Sequence, residues 1–76
     1  MNRDNAIKLA VNFLSNDGYK HGRCLSAEIV SGYDEETWEV EFAYEGLDSR
    51  NETTDPPSIV IAVDSKGKNV RLASLM

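Results

Sequence analysis

Between residues 3 and 16 the chain has its one run of helical apolar spacing, and every periodic run after it alternates instead. In RDNAIKLAVNFLSN, Ala6, Ile7, Ala10, Val11, Phe13 and Leu14 recur at three- and four-residue steps and make one stripe. Asn2 suits the N-cap, Asp4 suits the positive end of the helix dipole, and Asp17-Gly18 supplies the stop. A helix with one stripe can cover one face of one sheet. That restriction dictates the class: α+β, with one N-terminal helix packed on one face of a four-stranded antiparallel sheet, in the order αββββ.

The strands follow from period-two alternation. RCLSAEIVS (23–31) puts Leu25, Ala27 and Ile29 on one face, with Ser26 and Glu28 on the other. GYDEE supplies a turn, in which Gly32 relaxes the backbone. TWEVEFAY (37–44) then alternates without an error: Trp38, Val40, Phe42 and Tyr44 on one side, Thr37, Glu39, Glu41 and Ala43 on the other. Residues 45–57 lack periodicity and hold both prolines, so they read as a long exposed loop. SIVIAVD (58–64) is apolar on both faces, DSKGK forms a short hairpin loop with Gly67 in the left-handed position, and NVRLASL (69–75) closes the sheet as a second hairpin. The expected core is Ile7, Ala10, Val11 and Leu14 against Leu25, Ile29, Trp38, Val40, Phe42, Ile59, Ile61, Val70 and Leu72. The opposite sheet face is then left open, half acidic (Glu28, Glu39, Glu41) and half apolar (Val60, Ala62, with Ala73 a further candidate).

A chain of 76 residues has room for a single domain, 1–76. No apolar run approaches the roughly 18 residues of a membrane span, and MNRDNAIK has no apolar signal-peptide core, so a cytoplasmic home is expected. One cysteine, Cys24, precludes an internal disulfide and fits a reducing compartment. The sequon Asn51-Glu52-Thr53 is accordingly read as chance.

Charge is unevenly placed. Nine of the thirteen acidic residues (Asp34, Glu35, Glu36, Glu39, Glu41, Glu45, Asp48, Glu52 and Asp55) lie between positions 34 and 55, where Arg50 is the one base. Such a segment repels phosphate backbones, which speaks against nucleic acid, and attracts a basic protein. The plainer alternative is a solvated, solubilising surface.

Motifs for chemistry are sparse. His21 and Cys24 would need contact to activate a thiolate, and nothing in their spacing ensures it. With one His and one Cys, no zinc site forms within one chain. Asp48, Asn51, Glu52 and Asp55 offer oxygen ligands but lack the spacing and glycine of a calcium loop. Glu39 and Glu41 share a face roughly 7 Å apart, on an open surface that gives no desolvation to tune an acid–base pair. The five glycines are scattered at turns and cradle no phosphate. Neither enzyme chemistry nor a cofactor is expected.

The helix NRDNAIKLAVNFL, with Asn2 as cap and Ala6, Ile7 and Ala10 as stripe, resembles the start of a PepSY-type domain. The last forty residues, WEVEF…DPPSIVIAVDSKGKNVRL, resemble the sheet of that domain and also small bacterial immunity proteins of the nuclear-transport-factor-like type. Both show a Trp- or Tyr-led strand, a long loop, an aliphatic strand, an Asp-x-x-Gly turn and a closing strand. PepSY domains usually belong to exported or membrane-attached proteins, so the missing targeting segment favours the immunity-like resemblance. Neither family implies catalytic residues.

The resulting expectation is a non-enzymatic, cytoplasmic protein-binding module, of the immunity type, that neutralises a basic toxin through an acidic sheet face and loop. Glu39, Glu41, Glu45 and Asp48 would steer the approach, and Tyr44, Val60 and Ala62 would supply desolvated contact. The alternative is a homo-oligomeric module of PepSY-like type, a homodimer burying Val60 and Ala62 against a two-fold copy.

Overall fold

A computed structural model describes residues 1–32, 36–54, 56–64, 66 and 69–73. Among the described residues one helix and one four-stranded sheet make up the regular structure: α1 (Arg3–Asn16), β1 (Cys24–Val30), β2 (Thr37–Phe42), β3 (Ile59–Asp64) and β4 (Val70–Leu72). The strands lie in the order β1-β2-β3-β4, each antiparallel to the next, and α1 packs against all four. The α+β class expected from one helical stripe and four strand-like runs is the observed one. No helix among the described residues is long and apolar enough to cross a membrane.

Local chemistry fixes both ends of α1. Asn2 is extended, and its Oδ1 accepts from Asn5 N at 2.9 Å, which satisfies one of the free amides of the first turn. At the other end Gly18 adopts φ 75°, Gly18 N donates to Ser15 O, and Tyr19 N donates to Leu14 O. This reversal satisfies the last carbonyls and turns the chain back at Tyr19. The residues that α1 buries completely are Ala6, Ala10 and Leu14. Two of the three are alanines, so the helix axis can lie close to the sheet. The larger Ile7, Leu9, Val11 and Phe13 flank that contact, half-buried against the core.

On the sheet's inner face the register aligns Ala27, Val40, Ile61 and Leu72 across the four strands. Val40, Phe42, Ile61 and Val63 are almost wholly removed from water and Trp38 nearly so, each such side chain contributing roughly 1.5–3 kcal/mol of transfer free energy. Strand β1 departs from the expected core. A bulge between Cys24 and Ser26 makes Leu25 the extra residue, so Cys24 pairs with Phe42 and packs on the core in Leu25's expected place. Ile29 lies opposite Trp38 but is 51% exposed. It sits near the end of an edge strand, with a strand neighbour on one side only.

The β3–β4 connection is organised by Asp64. Its carboxylate accepts from Lys66 N, Asn69 N and Asn69 Nδ2, while Asp64 N donates to Asn69 O at 3.0 Å. The expected left-handed Gly67 lies outside the described residues, as do Tyr33, Asp34 and Glu35 of the first hairpin turn. Gly32, at its start, has φ 102°.

Candidate functional site

The face turned away from α1 carries Ser26 and Glu28 of β1, Glu39 and Glu41 of β2, Val60 and Ala62 of β3, and Arg71 of β4. The sequence reading left it open. In the structure the β2–β3 connection folds over part of it, and the reach of one side chain does this. Arg50 donates from Nε to Glu41 Oε2 and from its Nη2 to Glu41 Oε1, both at 2.6 Å. Ser58 Oγ donates to the same Oε2, and Ser26 Oγ donates to Oε1 at 3.2 Å. A carboxylate with four donors, one pair bidentate from a guanidinium, is strongly held as an anion. The Arg50 hydrogen bonds hold Glu41 below its ordinary value of 4.5, against the opposing effect of burial. At neutral pH Glu41 is therefore an acceptor and not a general acid.

The rest of the connection is ordered by its own polar groups. Tyr44 Oη donates to Pro56 O at 2.6 Å and ties the two ends together. Leu47 N donates to Tyr44 O across a turn in which Gly46 takes φ 82°. Asn51 is the hub of the far half: its N donates to Pro57 O, its Oδ1 accepts from Thr53 N and Thr53 Oγ1, and its O accepts from Thr54. Beneath the near half lies Gly22, whose N donates to Ala43 O at 2.7 Å. A methyl group on Gly22 would stand 2.6 Å from the carbonyl oxygens of Tyr44 and Leu47.

The residues expected to bind a partner therefore divide. Glu45 and Asp48 are exposed on the ordered loop, with Glu52 beside them, and no side-chain hydrogen bond or ion pair joins these three to another described residue. Glu39, Tyr44 and Val60 are half-buried. Glu41 is 8% exposed and Ala62 is wholly buried, which corrects their expected place on an open face. The physical causes differ. Glu41 is capped by Arg50, whereas Ala62 is a small side chain in register between the long Glu39 and Arg71. Self-association through Val60 and Ala62 thus loses half of its expected apolar contact.

His21 and Cys24 are engaged separately. His21 packs edge-on against Phe42, ring centroids 4.8 Å apart, with Nδ1 2.7 Å from Gly22 O. Cys24 Sγ lies 3.5 Å from Ser26 O, and burial pushes its thiol up from the ordinary value, which opposes thiolate formation. Among the described residues no three of His, Cys, Asp and Glu converge as metal ligands, and Asn51 Oδ1 accepts from Thr53 N and Thr53 Oγ1. Asp55, the last of the loop's candidate oxygen ligands, lies outside the described residues.

Sequence reasoning missed the roles of Arg50, Ser26 and Ser58. Arg50 was visible as the one base in an acidic segment, but its distance from Glu41 along the chain hid the pairing. Comparison of the chain with protein-family models, with curated proteins and with solved structures gives no match.

Proposed function

We propose that this chain is a non-enzymatic, cytoplasmic protein-binding module that engages a basic protein through the acidic β2–β3 loop, in the manner of an immunity protein neutralising a toxin. The observation that carries the reading is the ordered presentation of Glu45, Asp48 and Glu52. All three are exposed, on a loop closed by Tyr44–Pro56 and cross-tied at Asn51. The one base of that loop, Arg50, is matched by Glu41 from within the protein. Its positive charge is thus compensated by a carboxylate that takes no part in the display.

Loop order reduces the conformational entropy lost on association, and a field of one sign raises the encounter rate with an oppositely charged partner. The contact surface is centred on the loop, with Glu39, Tyr44 and Val60 at its margin. Glu41 serves it indirectly, by holding Arg50.

The test compares wild-type protein with the triple variant Glu45→Lys, Asp48→Lys, Glu52→Lys as bait in lysate of the source cells. A basic protein held in stoichiometric amount by the wild type, released at high salt and absent from the variant, is the expected outcome. Equal capture by both baits would reject the loop as the contact surface.

A further inference from the structure

At the end of the sheet where the loop begins and returns, Tyr19, Lys20, Tyr44, Pro56, Ser58, Ile59 and Leu72 line an open groove of about 320 Å³. Two phenol rings, a proline ring and two branched aliphatic chains make its walls. Of the three hydroxyls in the lining two are committed: Tyr44 Oη donates to Pro56 O, and Ser58 Oγ donates to Glu41. Lys20, at the rim, is exposed, and no carboxylate among the described residues pairs with it.

We propose that this groove binds a small amphipathic monocarboxylate, its aliphatic or aromatic body against Tyr19, Tyr44, Ile59 and Leu72 and its carboxylate on the Lys20 ammonium. The volume falls at the lower end of the roughly 300–1,000 Å³ typical of small-molecule sites, so the body is short. Largely apolar walls, with the Tyr44 and Ser58 hydroxyls already engaged, reward an apolar body against Ile59 and Leu72. A single ammonium selects a single negative charge. Phosphate sites gather arginine forks or several backbone amides, and the groove lining holds no arginine. The chain's net charge of −5 further opposes a polyanion.

The groove shares Tyr44 with the margin of the loop's proposed contact surface. Glu45, Asp48 and Glu52 are not part of its lining, so the two proposals are tested by different substitutions. Its structural basis is the reversal of the chain after α1. Gly18 in the left-handed region and the Tyr19 N to Leu14 O hydrogen bond bring Tyr19 and Lys20 to the same groove as Tyr44 and Pro56.

The test is titration of the isotopically labelled full chain with octanoate and, separately, with octylamine, followed by amide chemical shifts. Octanoate should give saturable shifts at Tyr19, Lys20, Tyr44, Ile59 and Leu72. Lys20→Glu, an exposed change that leaves the fold intact, should weaken octanoate about two- to fivefold, the range of an exposed ion pair, and strengthen octylamine by a similar factor. Tyr19→Ala should weaken both ligands. Equal affinity of the wild type for the two ligands would overturn the role of Lys20. Shifts that do not saturate, or that centre on residues outside the groove, would overturn the site itself.

Discussion

Arg50 reaches from the acidic loop to the far face of the sheet and places two guanidinium nitrogens on the Glu41 carboxylate, each contact 2.6 Å. Arg50 is itself largely exposed, whereas Glu41 is 8% exposed, so the two partners lose unequally when the pair is broken. In Arg50→Ala the loop loses its tie and Glu41 keeps only its two serine donors. Amide exchange in residues 45–54 should speed up while exchange in β2 and β3 holds near the wild-type rate. Arg50→Lys should restore little, because an ammonium cannot supply the parallel pair of donors. Full rescue by lysine would mean that charge alone holds the loop.

The same pair sets a pH dependence. Glu41 titrates below its ordinary value, chiefly because of the Arg50 hydrogen bonds. A carboxylate of lowered folded pKa contributes stability that is present above its unfolded value and is lost as pH falls through the folded one. Wild-type stability in urea should therefore drop from neutral pH to below pH 4.5, the ordinary value of the group. Glu41→Gln should be less stable at neutral pH, by about 1–3 kcal/mol for the imperfectly satisfied donors around it. The two proteins should then converge as the solution becomes acidic. Parallel curves down to acid pH would show that Glu41 is not the group responsible.

Gly22 is a close-approach glycine, held against the loop rather than placed for a turn. An added Cβ would lie 2.6 Å from two backbone carbonyl oxygens, of Tyr44 and Leu47, which cannot swing aside as a side-chain end could. Gly22→Ala should cost roughly 1–3 kcal/mol of overpacking and should shift the amide signals of residues 43–47. Gly18→Ala meets no atom within 4 Å but must hold φ 75°, so its cost is backbone strain of about 1 kcal/mol, with no change at the loop. A milder effect at Gly22 than at Gly18 would contradict the close approach.

The division between what was legible in the sequence and what was not follows interaction range. Helix α1 was readable to its caps because Asn2 and Gly18 act on residues within five positions of themselves. Strand β2 was readable because its alternation is complete. The bulge at Leu25 was not, since a single inserted residue leaves the hydrophobic pattern almost intact while changing which side chain faces inward. The cover over Glu41 was not legible either. A loop without periodicity gives no sign of where it folds back, and its docking depends on Arg50 meeting a carboxylate nine positions earlier. The groove was equally hidden, as it joins residues 19–20, 44, 56, 58–59 and 72.

Two isoleucines test the difference between pattern and burial. Ile29 and Ile61 both belong to the face that packs on α1, by alternation and by register. Ile61, in an interior strand, is wholly buried, and Ile29, on the edge strand, is 51% exposed. Truncating Ile61 to alanine removes buried methylenes and leaves a cavity that the close helix cannot fill by small movements. That loss should be about 2–5 kcal/mol, a large fraction of the stability of a domain this size. Ile29→Ala removes surface already half in water and should cost under about 1 kcal/mol. Urea unfolding of the two variants beside the wild type decides it. Comparable losses would mean that Ile29 is covered in solution, and that the β1 edge is more enclosed than its exposure indicates.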